Sequence, residues 1–146
     1  MKINISTPVQ QDYLTVKEGF NENLFLKLNP PFPPVKLLRF DGSSKGDRVI
    51  LELNFLLFKQ QWVSDITEDH TDANEIYFID KGTKLPFFLK EWKHKHRIIN
   101  AGTHSIIRDE ITFQAPAGIL TILLYPVLFL QFLYRKPIYK KIFRVK

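Results

Sequence analysis

From residue 35 to residue 114 the sequence alternates between apolar and polar side chains, and only short segments containing Gly or Asp interrupt the alternation. A period of two is that of a β-strand with one buried face. Because the interruptions are short and turn-like, we expect successive strands to pair antiparallel. The break at 58/59 is the exception, since it contains neither Gly nor Pro. The predicted strands are 35–41, 47–58, 59–69, 74–81, 87–101 and 103–114.

The segment before this alternation predicts one strand and one or two short helices. Residues 2–6 alternate and predict a short first strand. Thr7 and Pro8 match the N-cap and the first position of a helix, which Gly19 would end. A second short helix is expected at 24–28, followed by a proline-rich extended loop.

The C-terminal segment is a long apolar stretch that ends in a basic tail. No residue from 111 to 134 is charged, and residues 119–134 are apolar on every helical face. A helix packed on a sheet needs only one apolar stripe, so the surplus face must meet a partner chain, a membrane or a cavity mouth. This run is shorter than the roughly 20 residues of a membrane span, and Pro126 and Gln131 interrupt it. Contact with a membrane surface is therefore a better expectation than a span.

Charge and composition exclude several classes of function. The net charge is +6, and the last twelve residues hold six basic and no acidic side chains, so the rest of the chain is neutral. We expect no nucleic-acid partner, because such proteins spread basic charge over the body of the domain. The absence of cysteine excludes disulfide scaffolds and thiol chemistry. With no signal-like apolar segment at the start, a single cytoplasmic domain covering 1–146 is expected.

The predicted strand at 87–101 has the most distinctive pattern. Trp92, His94 and His96 share one face of it. The other face is solvated, because it carries three cations and one anion: Glu91, Lys93, Lys95 and Arg97. Two histidines on an inward face are unusual, because buried imidazoles need hydrogen-bond partners. The alternation of the next strand places Asp109 on the same inward side.

These observations predict an apolar cavity with polar groups at one end, between the sheet and the C-terminal helix. Its entrance is expected between the long helix and the proline-rich loop. The predicted ligand-binding residues are Trp62, Phe78, Asp80, Trp92, His94, His96, Asp109, Phe113, Leu124 and Leu128.

The inward histidines and Asp109 are open to three interpretations. They match a metal-ligand set, an acid–base pair or a hydrogen-bonded network that orients the strands or a ligand. Two histidines at strand spacing are a weak metal signal, and the sequence holds no serine elbow, phosphate loop or helical zinc motif. We therefore expect no metal and no cofactor, and assign no catalytic residue.

Several of these segments together resemble a bacterial branch of the START-like superfamily, also called SRPBCC. The branch carries a pattern close to F-x-D, then G-P-F-x-x-W-x-H-x-H, then T-x-x-x-D. The matching segments are Phe78-Ile79-Asp80, Pro86-Phe87-Phe88, Trp92-Lys93-His94-Lys95-His96, Thr103, Asp109 and Phe132-Leu133-Tyr134-Arg135. The sequence departs from the pattern at Leu85, where glycine is frequent, at Phe113, where tyrosine is frequent, and at Pro137.

The resemblance implies an α+β helix-grip fold similar to Bet v 1-like proteins. In such a fold a curved seven-stranded antiparallel sheet wraps around a long C-terminal helix, with one or two short helices after the first strand. It also implies binding of a hydrophobic small molecule or lipid. The alternatives are a cyclase or isomerase that uses the histidine pair, and a protein that docks on a membrane surface or a partner. Either a monomer or a homodimer fits the sequence.

Overall fold

The computed structural model describes residues 1–145, which form one seven-stranded antiparallel sheet and four helices. In chain order the elements are β1 (Lys2–Val9), α1 (Tyr13–Glu18), α2 (Glu22–Lys27), β2 (Val35–Phe40), β3 (Arg48–Asn54), β4 (Lys59–Thr71), β5 (Glu75–Lys84), β6 (Glu91–Asn100), β7 (Ser105–Gln114), α3 (Gly118–Leu133) and α4 (Arg135–Ile142).

The sheet order is β1-β7-β6-β5-β4-β3-β2, and every neighbouring pair is antiparallel. From β2 to β7 each strand therefore lies beside the next in sequence, as the short turns predict. The first strand then returns to pair with the last one, which places β1 and β2 at the two edges. The predicted antiparallel seven-stranded sheet and long C-terminal helix are confirmed.

The predicted helix start at Thr7 and Pro8 is wrong, because β1 continues to Val9. Thr7 is fully buried on the inner face of the sheet. Pro8 is tolerated there because β1 is an edge strand and needs ladder hydrogen bonds on one side only. The helix begins instead at Tyr13, after Asp12, whose carboxylate accepts two backbone N–H groups of the first turn.

Three strand boundaries also differ from the prediction by three residues or more. The predicted strand 74–81 continues through its predicted break at 81–83 to Lys84. The predicted strand 47–58 ends at Asn54, because residues 55–58 form a turn in which Leu56 has a positive φ of 75°. The predicted strand 87–101 begins only at Glu91. The residues before it form a turn closed by the Leu89 N–H, which donates to the Pro86 carbonyl at 3.0 Å.

The C-terminal helix is almost continuous from residue 118 to residue 142. Tyr134 separates α3 from α4, and its own φ of −56° and ψ of −28° are helical. Pro137 lies in the first turn of α4, where a missing N–H costs little. The break between α3 and α4, at Tyr134, thus lies three residues before Pro137. One face of α3 packs on the sheet through Leu128 and Phe132, and α4 does so through Tyr139.

Two apolar clusters fill the interior, and a polar band lies between them. One cluster joins α1, α2 and α4 to the sheet, with Ile98 and Ile107 at its base. The other joins α3 to the sheet, with Trp92 and Ile111 at its base. Along β6 the two histidines fall between Trp92 and Ile98, and along β7 Asp109 falls between Ile107 and Ile111. This band forms the polar part of the site.

Candidate functional site: an apolar cavity with a histidine–carboxylate cluster

A cavity of about 410 Å³ lies between the inner face of the sheet and the helices. Its lining is mostly apolar and comes from α2, α3, the proline-rich loop and strands β2 to β6. Its volume falls within the range of roughly 300–1,000 Å³ typical of small-molecule sites. Phe32 of the loop and Val127 of α3 both line the cavity and are exposed. They mark the side on which the entrance is predicted.

Eight of the ten predicted site residues line this cavity: Trp62, Phe78, Asp80, Trp92, His94, His96, Leu124 and Leu128. The other two, Asp109 and Phe113, are each 1% exposed and lie beneath the lining. Asp109 reaches the cavity only through His94, to which it is hydrogen-bonded. Phe113 packs in the apolar cluster under α3. A direct ligand contact is therefore not supported for these two residues.

Strand register brings the polar groups together. Asp80 on β5 lies opposite His94 on β6, and His96 lies opposite Asp109 on β7. The hydrogen bonds cross this register: His94 Nε2 is 2.8 Å from Asp109 Oδ1, and His96 Nε2 is 2.6 Å from Asp80 Oδ2. The two imidazoles stack with their centroids 3.5 Å apart. Two carboxylates thus flank a stacked pair of histidines.

Aromatic side chains hold this cluster in place. The Trp92 indole Nε1–H donates to Asp80 Oδ1 at 3.1 Å, which leaves Oδ2 for His96. The Phe78 ring stacks on His96 at 4.3 Å with an interplanar angle of 13°. Trp62 meets Trp92 edge to face at 4.9 Å. The apolar wall of the cavity and its polar end are therefore built from the same strands.

Burial determines the charge of His94. Burial, reinforced by the charge of His96, lowers the pKa of His94 from 6.5 to about 4, against the opposing hydrogen bond to Asp109. The ring is therefore neutral at physiological pH. Because a carboxylate accepts, Nε2 carries the proton and Nδ1 has a free lone pair. Nδ1 lies 3.7 Å from Asp80 Oδ2.

Both carboxylates stay ionised although they are buried. For Asp80, burial raises the pKa, but this effect is outweighed by the hydrogen bond from His96, the charge of His96 and the hydrogen bond from Trp92, which all lower it. For Asp109, burial also raises the pKa, and this effect is outweighed by lowering effects, of which the hydrogen bond from His94 is the largest. The net shift of each carboxyl pKa is downward, so the cluster presents negative charge at the inner end of the cavity.

The geometry also decides which histidine is available for chemistry. The His94 side chain is 3% exposed and bonded to a buried carboxylate, whereas the His96 side chain is 13% exposed and faces the cavity. The sequence prediction leaves open which of the two histidines acts as an acid–base group together with Asp109. In the structure, the imidazole–carboxylate pair that reaches the cavity is His96 with Asp80.

The sequence prediction missed several lining residues. The inward side chains of β3 and the apolar face of α2 line the side opposite the histidines: Leu24, Leu28, Val49, Leu51 and Leu53. The alternation of β3 carries this signal, as it does for β6. Arg135 also lines the cavity and lies over the Phe132 ring at 4.3 Å. Its place in the segment Phe132-Leu133-Tyr134-Arg135, which resembles the family pattern, is the sequence signal that could have identified it.

No family model matches this chain, and no curated protein matches it either. Solved structures do match it. An aromatase/cyclase named Zhui from a Streptomyces species is 12% identical, with a TM-score of 0.62, over 94% of this chain and 89% of that one. Major latex-like protein 151 from Panax ginseng is 13% identical, with a TM-score of 0.62, over 95% and 97% of the two chains.

A third match is a norcoclaurine synthase point mutant from Thalictrum, in complex with a transition-state analogue. It is 11% identical, with a TM-score of 0.58, over 87% of this chain and 82% of that one. These neighbours are Bet v 1-like proteins, so the resemblance drawn from the sequence is confirmed at the level of the fold. The chain has the helix-grip fold that these neighbours share.

Proposed function

We propose that this protein binds a hydrophobic small molecule or lipid in the cavity between the sheet and α3. The observation that carries the proposal is the cavity itself, about 410 Å³ in volume, with an apolar lining and a few polar groups at one end. The fold neighbours support it in general terms, since one of them is in complex with a transition-state analogue. A soluble, cytoplasmic carrier or sensor is consistent with the fold and with the cysteine-free sequence.

The polar end of the guest would lie at His96 and Asp80. Their side chains are 13% and 15% exposed and line the cavity, whereas Asp109 is sealed beneath His94. A hydroxyl or carbonyl group placed here would exchange hydrogen bonds with an imidazole and a carboxylate that are already fixed in position. The apolar body of the guest would lie against Phe78, Trp62 and Leu128.

A cavity-filling variant tests this proposal. Leu128 lines the cavity, so Leu128→Trp would occupy the space of a guest. We expect the variant to bind the neutral lipophilic fluorophore N-phenyl-1-naphthylamine at least ~10-fold more weakly than the wild type. Leu130→Trp is the matched control, because Leu130 lies on the same helix, is 63% exposed and is not among the lining residues of the described chain.

The control variant should bind the fluorophore as the wild type does. Circular dichroism and thermal melting of each variant would verify that both fold. Equal binding by the two tryptophan variants, or no binding by the wild type, would contradict the proposal.

A second candidate function is docking on an anionic membrane surface, and the exposed face of α3 favours it. Leu123 and Leu130 belong to an exposed apolar stripe along this helix. On the nearly continuous helix, the stripe leads into the exposed Lys140 and Lys141, and the exposed Arg144 follows just after the helix. Apolar contact followed by basic charge is the pattern of an interfacial helix on anionic lipid.

A turn of the sheet carries further exposed apolar side chains. Leu56 and Leu57 in the β3–β4 turn are 79% and 94% exposed. The neighbouring Phe55 packs against Phe88, with ring centroids 6.0 Å apart. Phe88 in turn packs on the cluster that includes Leu128 of α3. Exposed apolar surface of this extent marks an interaction site.

The helical stretch Gly118–Ile142 also has the length and composition to cross a membrane, with a mean hydropathy of 1.6 and 17% of its most apolar window buried. We favour surface docking because the inner face of this stretch, including Leu128, Phe132 and Tyr139, closes the apolar core. Insertion across a bilayer would strip that face from the sheet and expose the core to water.

Vesicle flotation tests the docking candidate. We expect the protein to float with vesicles that contain phosphatidylglycerol, and Leu123→Glu/Leu130→Glu to reduce the bound fraction at least ~10-fold, because charged side chains are costly to place in an apolar membrane contact. The matched control is Leu14→Glu/Leu26→Glu, which adds the same charge at exposed leucines of α1 and α2. Equal flotation of both double variants would contradict membrane docking through α3.

A further inference from the structure

Three of the polar side chains that line the cavity form a set of potential metal ligands. Asp80, His94 and His96 each offer one ligand atom, and these atoms all lie within 4.8 Å of one another. We propose that this trio binds a divalent transition-metal ion, with Zn²⁺ as its probe, and that the open coordination positions of the ion face the cavity. The proposal departs from the expectation drawn from the sequence, which named no metal and considered Asp109 as the carboxylate.

The orientation of the ligand atoms supports coordination. His94 Nε2–H is held by Asp109, so the lone pair of Nδ1 points toward Asp80 Oδ2, 3.7 Å away. His96 Nε2 is 2.6 Å from the same oxygen and donates to it in the metal-free protein, so binding of the ion would release this proton to solvent. Ligand atoms that share an ion at about 2.0–2.2 Å lie roughly 3–3.5 Å apart. The two distances bracket this range, and all three ligand atoms lie within 4.8 Å of one another, so binding of one ion requires side-chain rotations that draw them together.

The surrounding hydrogen bonds have the form of an outer shell around a metal. A ligating histidine commonly donates its second ring N–H to a carboxylate, and ligating carboxylates are themselves hydrogen-bonded. His94 donates to Asp109, which is 1% exposed, and Asp80 Oδ1 accepts from the Trp92 indole. Asp109 thus acts as a positioning residue that fixes the His94 tautomer.

The ligand types restrict the ion. Two imidazoles and one carboxylate suit Zn²⁺, Fe²⁺ and similar ions, and three protein ligands leave positions free for water or a guest. Because the trio lines the cavity, these positions are reached from the space that would hold the guest. Metal binding itself does not depend on a guest, so this site and the proposed ligand binding are tested separately.

Calorimetric titration of the chelator-treated, full-length protein with Zn²⁺ alone tests the site. We expect one ion per chain. Asp80→Asn should weaken binding at least ~100-fold, because loss of a direct ligand exceeds the 10–100-fold effect of losing an outer-shell partner. The asparagine oxygen still accepts from Trp92, which keeps the fold. His96→Gln is the second variant should Asp80→Asn lose its native circular dichroism spectrum.

A matched control is available in His70→Ala. His70 is an exposed histidine that also bonds an aspartate, Asp72, at 2.7 Å, but it lies outside the cavity. This variant should bind Zn²⁺ as the wild type does, and Co²⁺ should give visible absorption bands with both. No Zn²⁺ binding by the wild type, or unchanged binding by folded Asp80→Asn or His96→Gln, would overturn the proposal. Fluorophore binding measured in chelator reports separately on the apolar cavity.

Discussion

His94 and Asp109 form the most deeply buried side-chain hydrogen bond of the site. Their side chains are 3% and 1% exposed, and they bond at 2.8 Å. The second carboxylate oxygen of Asp109 accepts no hydrogen bond from the part of the chain that the structure describes. Removing the histidine would leave this buried carboxylate without its hydrogen-bond donor, which costs at least about 1–3 kcal/mol. The pair therefore contributes to the fold as well as to the cavity.

The lowered pKa of His94 predicts a pH-dependent stability of the metal-free protein. In the unfolded chain the imidazole takes up a proton near pH 6.5, but in the folded chain only near 4. Its contribution to stability is therefore complete above pH 6.5 and is lost as the pH falls toward 4. Between pH 7 and pH 5 the loss is about 2 kcal/mol in the free energy of unfolding.

Urea unfolding in the presence of a chelator would measure this loss. His94→Gln is the reference, because it removes this titration and leaves the other three histidines in place. The wild type should lose about 2 kcal/mol more than the variant over the same pH interval. Identical losses in the two proteins would show that His94 does not carry the effect.

At the scale of residues, alternation predicted which side chains point inward but not how they pair. The period of two placed His94, His96 and Asp109 on one face, and the structure agrees. The bond between His96 and Asp80 could not be predicted, because it depends on the register between β5 and β6 and on side-chain rotamers. Neither is encoded by local periodicity.

At the scale of elements, the C-terminal end of α1 packs against the residue that follows α4. A Cβ added at Gly19, the C-cap of α1, would clash with the Phe143 ring. Phe143 is 2% exposed and stacks on Phe20. The absence of a side chain at residue 19 therefore allows the C-terminal end of the chain to pack closely on α1.

Replacing this glycine should destabilise the protein. Gly19→Ala would displace the Phe143 ring, and we expect a loss of about 1–3 kcal/mol in the free energy of unfolding. Its φ of −77° is open to alanine, so the effect isolates the steric clash. The control is Gly118→Ala, where an added Cβ meets nothing within 4 Å. Equal thermal melting of the two variants would contradict this packing argument.

The elements themselves were predictable to different degrees. The strands from β2 to β7 followed from alternation and short turns, since both signals are local. The helix after β1 was placed too early, because Thr7 and Pro8 resemble a helix start while pairing with β7 determines their structure. Tertiary pairing overrides a local capping signal in such a case.

At the scale of the whole molecule, the cavity, the polar cluster and the exposed helix face belong to one arrangement. The sheet and α3 enclose the cavity, and the polar band that separates the two apolar clusters forms its inner end. The fold could be predicted from the sequence, because its element order is distinctive. The size of the cavity could not, because thirteen Phe side chains would also fill it in another packing.

The central claim, that the cavity binds an apolar guest, has a built-in reporter. The chain has two tryptophans, Trp62 and Trp92, and both line the cavity. Each indole N–H group should give its own signal in a ¹H–¹⁵N spectrum, and both donate to polar partners within the site. Titration with N-phenyl-1-naphthylamine should shift both signals in a saturable manner, in step with the fluorescence. Fluorophore binding that leaves both indole signals unmoved would contradict the account.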